Sequence, residues 1–128
     1  MRQDQATSAA RPFVLLLHLP APNSPLDPHW DLMIQDGDHL LTWRVPSQPR
    51  AGQEQVVQQI AAHRLEFLDF TGELTEQRGR VEQVARGMLE PTRWENDSIS
   101  GTLRGSSSCF EITLERGSAP DQWTLSVA

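Results

Sequence analysis

Residues 29–46 read His29-Trp-Asp-Leu-Met-Ile-Gln-Asp-Gly-Asp-His-Leu-Leu-Thr-Trp-Arg-Val-Pro46. From His29 to Ile34 the side chains alternate in character. His29, Asp31 and Met33 fall on one face, and Trp30, Leu32 and Ile34 on the other. A period of two is that of a strand with a polar face and a core face. Asp36-Gly37 signals a tight hairpin turn. Leu41, Trp43 and Val45 then alternate in the returning strand, which Pro46 ends.

The same period recurs outward from this hairpin. Upstream, Pro12-Phe-Val-Leu-Leu-Leu-His18 reads as a buried strand, and Pro20, Pro22, Pro25 and Pro28 require a loop between it and His29. Residues 1–11 are polar and read as a flexible N-terminal arm, which leaves 12–128 as one domain. Downstream, residues 46–53 make a second loop. Residues 54–62 fit either a helical stripe (Val56, Val57, Ile60, Ala61) or a strand face. Leu65 to Leu74 reads as extended, with a bulge at Gly72, and residues 76–91 contain one short strand around Val81 to Ala85. Ile99, Gly101 and Leu103 alternate, as do Phe110, Ile112 and Leu114, and then Trp123, Leu125 and Val127, with turns at 105–108 and 117–120. Many short strands at regular spacing predict a mainly β chain, an antiparallel barrel or sandwich. Its predicted core includes Trp43, Phe110, Ile112, Leu114, Trp123 and Leu125.

Composition narrows the function. A length of 128 residues suits one core. No apolar run approaches the roughly 20 residues of a membrane helix, and Met1 to Arg11 lacks the apolar segment of a signal peptide. Cys109 is the single cysteine, which excludes an internal disulfide and any CxxC site. These features predict a soluble cytoplasmic protein. The net charge of −6 argues against a broadly basic nucleic-acid face. All eleven basic residues are Arg. A GC-rich genome explains that bias, yet Arg is also the residue suited to a small phosphate pocket.

Of the four histidines, His39 sits beside a turn and reads as solvent-exposed, and His63 ends an apolar stretch. His18 and the His29-Trp-Asp31 pair are the informative group. Residues two apart on a strand project from one face about 6–7 Å apart. If the Pro-rich loop returns the chain beside its first strand, His18 joins His29 and Asp31. Two imidazoles and a carboxylate leave coordination positions open, and they suit Mn²⁺ or Zn²⁺ without choosing between them.

Four stretches, in order, carry a resemblance: Phe13-Val-Leu-Leu-Leu-His18, His29-Trp-Asp-Leu-Met33, Leu41-Thr-Trp-Arg-Val-Pro46 and His63-Arg-Leu-Glu-Phe-Leu-Asp-Phe-Thr-Gly72. They resemble F-V-x-x-x-H, H-Y-D-x-R, S-W-A-V-P and H-x-L-E-Y-x-D-F-E-G of the 3′-phosphoesterase domain of bacterial and archaeal DNA ligase D. Ala85-Arg-Gly-Met-Leu-Glu-Pro91 and the closing strands continue the similarity through residues 12–128.

The resemblance implies a compact antiparallel β-barrel with at most one or two short helices. It implies Mn²⁺-dependent trimming of DNA 3′ ends bearing a phosphate or ribonucleotide. His18, His29 and Asp31 match the metal ligands, and His63 matches a histidine that binds or protonates the phosphate. Two positions depart: Met33 stands where the family has a phosphate-gripping Arg, and Phe67 where it has a Tyr. Losing a charged hydrogen bond costs on the order of 1.5–3 kcal/mol. Arg44, opposite in facing to Trp43, is a candidate replacement phosphate ligand. With no ligase or polymerase segment in these residues, the expectation is a stand-alone relative with a weakened clamp, tied to repair only through a partner protein. The alternatives are a catalytically inactive metal-binding barrel that acts as a binding module, and a hydrolase of another phosphoester.

Overall fold

A computed structural model describes residues 9–75 and 78–128. Its strands are β1 (Arg11–Leu19), β2 (His29–Asp36), β3 (His39–Val45), β4 (Glu54–Arg64), β5 (Gly72–Glu73), β6 (Arg80–Glu95), β7 (Ser98–Gly105), β8 (Cys109–Arg116) and β9 (Gln122–Val127). Every pairing is antiparallel. The order β1-β2-β3-β4-β9-β8-β7-β6 closes through a β6–β1 pairing into an eight-stranded barrel, with β5 added beside β6. Closure removes the exposed edges that an open sheet would leave. Among the described residues no helix is long and apolar enough to cross a membrane.

The barrel interior holds one apolar cluster, to which β1, β2, β3, β4, β6, β7, β8 and β9 all contribute. At its centre Trp43 and Trp123 meet edge to face, with ring centroids 5.5 Å apart. A second cluster lies outside the barrel wall. Val14, Leu16, Met33 and Leu40 project outward from β1, β2 and β3, and Leu65, Phe67, Leu68, Phe70 and Leu74 cover them. This explains the unbroken run Phe13 to Leu17. Phe13 and Leu15 face the interior while Val14 and Leu16 face the outer cluster, so β1 is buried on both sides.

Several expectations need correction. Phe110 is 36% exposed, because it lies near the strand's start, while Ile112 and Leu114 are buried further along β8. Residues 54–62 are strand, and it is Val57 that enters the core while Val56 is exposed. Residues 65–74 are not extended: Leu65–Leu68 form a 3-10 turn that lays Leu68 onto the outer face, and only Gly72 and Glu73 pair as strand. The short strand expected at 81–85 is a 16-residue strand. Its period is broken twice. Extra residues at Val84 and Thr92 shift the register against β1 and β7, so that Val81 packs outside the barrel and Ala85 and Leu89 inside it. Of the predicted arm, residues 1–8 lie outside the described residues. Arg11 belongs to β1, where its guanidinium stacks 3.6 Å from the Trp94 ring centroid and bonds the Gln35 carbonyl.

Gly101 lies opposite Pro91 on β6, and a Cβ there would strike the backbone of Glu90 and Pro91. Gly101→Ala should therefore destabilise the barrel by about 1–3 kcal/mol. The check is a lower urea midpoint at unchanged m-value.

Candidate metal centre

The outer face of β1–β4 carries the polar residues singled out in the sequence. Strand pairing lays them in rows. His18 lies opposite His29, and the next row runs Leu16, Asp31, Arg44 and Gln58. The row after that runs Val14, Met33, Thr42 and Ile60. The nine-residue Pro-rich loop does return the chain beside β1, as the proposed convergence requires. Of these rows, Leu16, His18, Asp31, Met33, Arg44 and Ile60 line, with Phe67, Leu74 and Arg78, a cleft of about 500 Å³.

His18, His29 and Asp31 each bring one ligand atom within 4.8 Å of the other two, a group able to hold a metal ion. The hydrogen bonds around it set its chemistry. His18 Nε2 lies 2.9 Å from the Arg78 carbonyl, and His29 Nδ1 lies 3.2 Å from the Asp27 carbonyl. A carbonyl only accepts, so each ring places its N–H on that outer nitrogen. The inner nitrogens, His18 Nδ1 and His29 Nε2, then point lone pairs at each other across 3.0 Å. Asp31 Oδ1 lies 3.7 Å from His29 Nε2, buried and with no hydrogen-bond partner. Three acceptors facing one point lack only a cation, and outer N–H bonds to carbonyls are how metal-ligating histidines are oriented. The donor set therefore fits a divalent ion.

Burial governs the charges here. It raises the Asp31 carboxyl above the ordinary carboxylate range, against the opposing pull of His29 and Arg44. It lowers His29, which the Asp31 charge opposes. Both effects favour neutral groups, and a cation among them favours the carboxylate.

Two residues face the centre across the cleft. Arg44 is the cross-strand partner of Asp31, as its facing opposite to Trp43 predicted. Among the described residues it makes no ion pair, and its Nε is buried without a partner. His63 reaches the cleft through a bulge. Leu40 pairs with His63 but Thr42 pairs with Ile60, so one extra residue at Ala61–Ala62 turns His63 onto the outer face. The Thr42 hydroxyl donates to the Leu40 carbonyl at 3.0 Å and so accepts from His63 Nδ1 at 3.0 Å. That leaves His63 Nε2 free to exchange a proton. Sequence reasoning missed Thr42, although its parity with Arg44 placed it on this face. It also missed Arg78, which no local pattern connects to His18. His39 is half exposed and bonds Asp38, away from the cleft.

Fold and site together define a closed eight-stranded barrel with a His-His-Asp group on its outer wall. No protein-family model matches the chain, and no curated protein sequence does.

Two outcomes follow from this geometry. Titration with Mn²⁺ or Zn²⁺ should raise the melting temperature, by the equivalent of about 2.7 kcal/mol at a hundredfold excess over Kd. His29→Ala should abolish the shift; an equal shift in the variant would mean that the ion binds elsewhere. The second outcome concerns pH. Burial holds His63 below its ordinary value of 6.5, ahead of the opposing Asp31 charge. Below 6.5 the unfolded chain takes up a proton that folded His63 resists, so this residue costs stability as pH falls. In chelator-treated protein, His63→Gln should lose less stability on acidification than the unaltered chain. Parallel urea-midpoint profiles would show that His63 titrates alike folded and unfolded.

Proposed function

We propose that the protein is a relative of the DNA ligase D 3′-phosphoesterase domain, binding a phosphorylated ligand at a Mn²⁺ or Zn²⁺ centre in the cytoplasm. The observation that carries this is one cleft where His18 and Asp31 of the His18-His29-Asp31 donor set meet Arg44 and His63. The ordered motifs of the sequence support the family, and the lone, unpaired Cys109 suits a cytoplasmic setting.

A divalent ion in such a centre supplies Lewis-acid polarisation of a phosphoryl oxygen. The chain's own residues do the remainder. Arg44 offers a guanidinium to the other oxygens, which its unpartnered Nε leaves uncommitted. His63, fixed by Thr42 in one tautomer, presents Nε2 to the ester oxygen as donor when protonated. Its lowered proton affinity makes it readier to give that proton up.

Met33 and Phe67 weaken the grip on phosphate. Both pack in the outer cluster, where Met33 is 1% exposed and Phe67 meets His63 edge-on at 5.2 Å. Neither supplies a donor. DNA 3′ ends are therefore a poor substrate in this reading, and a repair partner that delivers them is part of it.

The experiment is release of a 3′-phosphate or terminal ribonucleotide from a primer with Mn²⁺. The unaltered chain should turn over slowly. Met33→Arg with Phe67→Tyr should raise the rate roughly ten- to a hundredfold, the worth of a charged hydrogen bond. A rate unchanged by His29→Ala would overturn the metal's role. No release by the double variant, with its melting transition intact, would favour the binding-module alternative.

A further inference from the structure

The cleft has two chemically distinct ends. One holds His18, Asp31 and Arg44, with His29 buried 3.0 Å from His18. The other is walled by Leu16, Met33, Ile60, Phe67, Leu74 and Val81. The apolar end is built. Leu16, Met33 and Val81 are at most 3% exposed and belong to one packed cluster, against which Phe67 and Leu74 lie half-buried. Phe67 is held edge-on between His63 and Phe70, with centroid separations of 5.2 and 5.5 Å.

Strand geometry sets the spacing of the two ends. Met33 follows Asp31 by two residues on the same face of β2, about 7 Å along the strand. An anion seated between the His-His-Asp group and Arg44 thus places its ester substituent over Met33 and Ile60, beside Phe67 and Leu74. A ring or branched chain about that long fills the space. A sugar fits by size, but hydroxyls laid against Met33, Ile60, Phe67 and Leu74 would meet carbon, and polar groups buried without partners are penalised; of the cleft's other polar groups, Arg78 already bonds Thr75. Arg64, also on this cleft, is already paired with Glu66 at 3.2 Å.

We propose that the cleft prefers, over a nucleotide, a phosphomonoester whose organic part is a compact apolar group, an aromatic ring or a branched alkyl chain. This rests on the reading that phosphate occupies the metal end, and it names the ligand class for that same site. The residues that weaken a DNA-end clamp are, in this view, the ones that recognise the ligand.

The test is calorimetric binding to Mn²⁺-loaded protein of three probes: phenyl phosphate, glycerol 3-phosphate and inorganic phosphate. Burying most of a phenyl ring should make phenyl phosphate at least about tenfold tighter than either of the others. Phe67→Ser and Leu74→Ser should each shrink that ratio severalfold, with melting temperature recorded to confirm folding. Equal affinities for the phenyl and glycerol esters would overturn the proposal while leaving a phosphate site in place. A preference that survives both substitutions would overturn it too, since the ring would then lie elsewhere. No binding of any probe would overturn the phosphate reading on which it rests.

Discussion

The site depends on the register between β1 and β2. With Leu16 opposite Asp31 and His18 opposite His29, two strands joined by a nine-residue loop bring three ligand atoms to one point. A slip of one residue would turn a whole strand over, sending Asp31 toward the barrel interior and Leu32 to the cleft. The register is held by apolar contacts on both faces of β1 and β2. Phe13, Leu32 and Ile34 belong to the interior cluster, and Val14, Leu16 and Met33 to the outer one. A slip would have to exchange two packed layers at once, which is far costlier than exposing one face of an ordinary sheet.

The outer cluster therefore has a structural and a chemical part. It consolidates the wall that bears the ligands, and it lines half of the cleft. Residues 65–74 supply its cover and, apart from Gly72 and Glu73, give up strand pairing to do so. The turn at Leu65–Leu68 lets Leu65, Phe67 and Leu68 reach the same patch, which a strand alternating between faces would not allow. Met33 and Phe67 are thus members of a packed surface.

Electrostatically the cleft departs from the rest of the molecule. The chain carries a net charge of −6, yet Arg44, Arg64 and Arg78 all line this one depression beside Asp31. Backbone groups act here beside the side chains. The carbonyls of Asp27 and Arg78 fix which nitrogen of each imidazole carries the proton, and so aim the lone pairs inward. Arg78 reaches His18 only because β6 returns to pair with β1 and close the barrel.

Period-two alternation determined the β class, the hairpin at Asp36-Gly37, most of the interior core and the shared facing of His29 and Asp31. Alternation is local and survives wherever a strand runs undisturbed. It also put Arg44 opposite in facing to Trp43, and the ordered motifs linked His18 and His63 to the same group. What sequence could not decide lies where extra residues interrupt the alternation. Strict parity from Val57 would send His63 into the barrel, and the bulge at Ala61–Ala62 turns it into the cleft instead. Parity would likewise unite Val81 with Ala85 and Leu89, and the extra residue at Val84 sends them to opposite sides of the wall. A bulge is set by how two distant strands meet, as is the β6–β1 closure that brings the Arg78 carbonyl to His18. Neither leaves a mark in the residues themselves, because the constraint that creates it is the closing of the barrel.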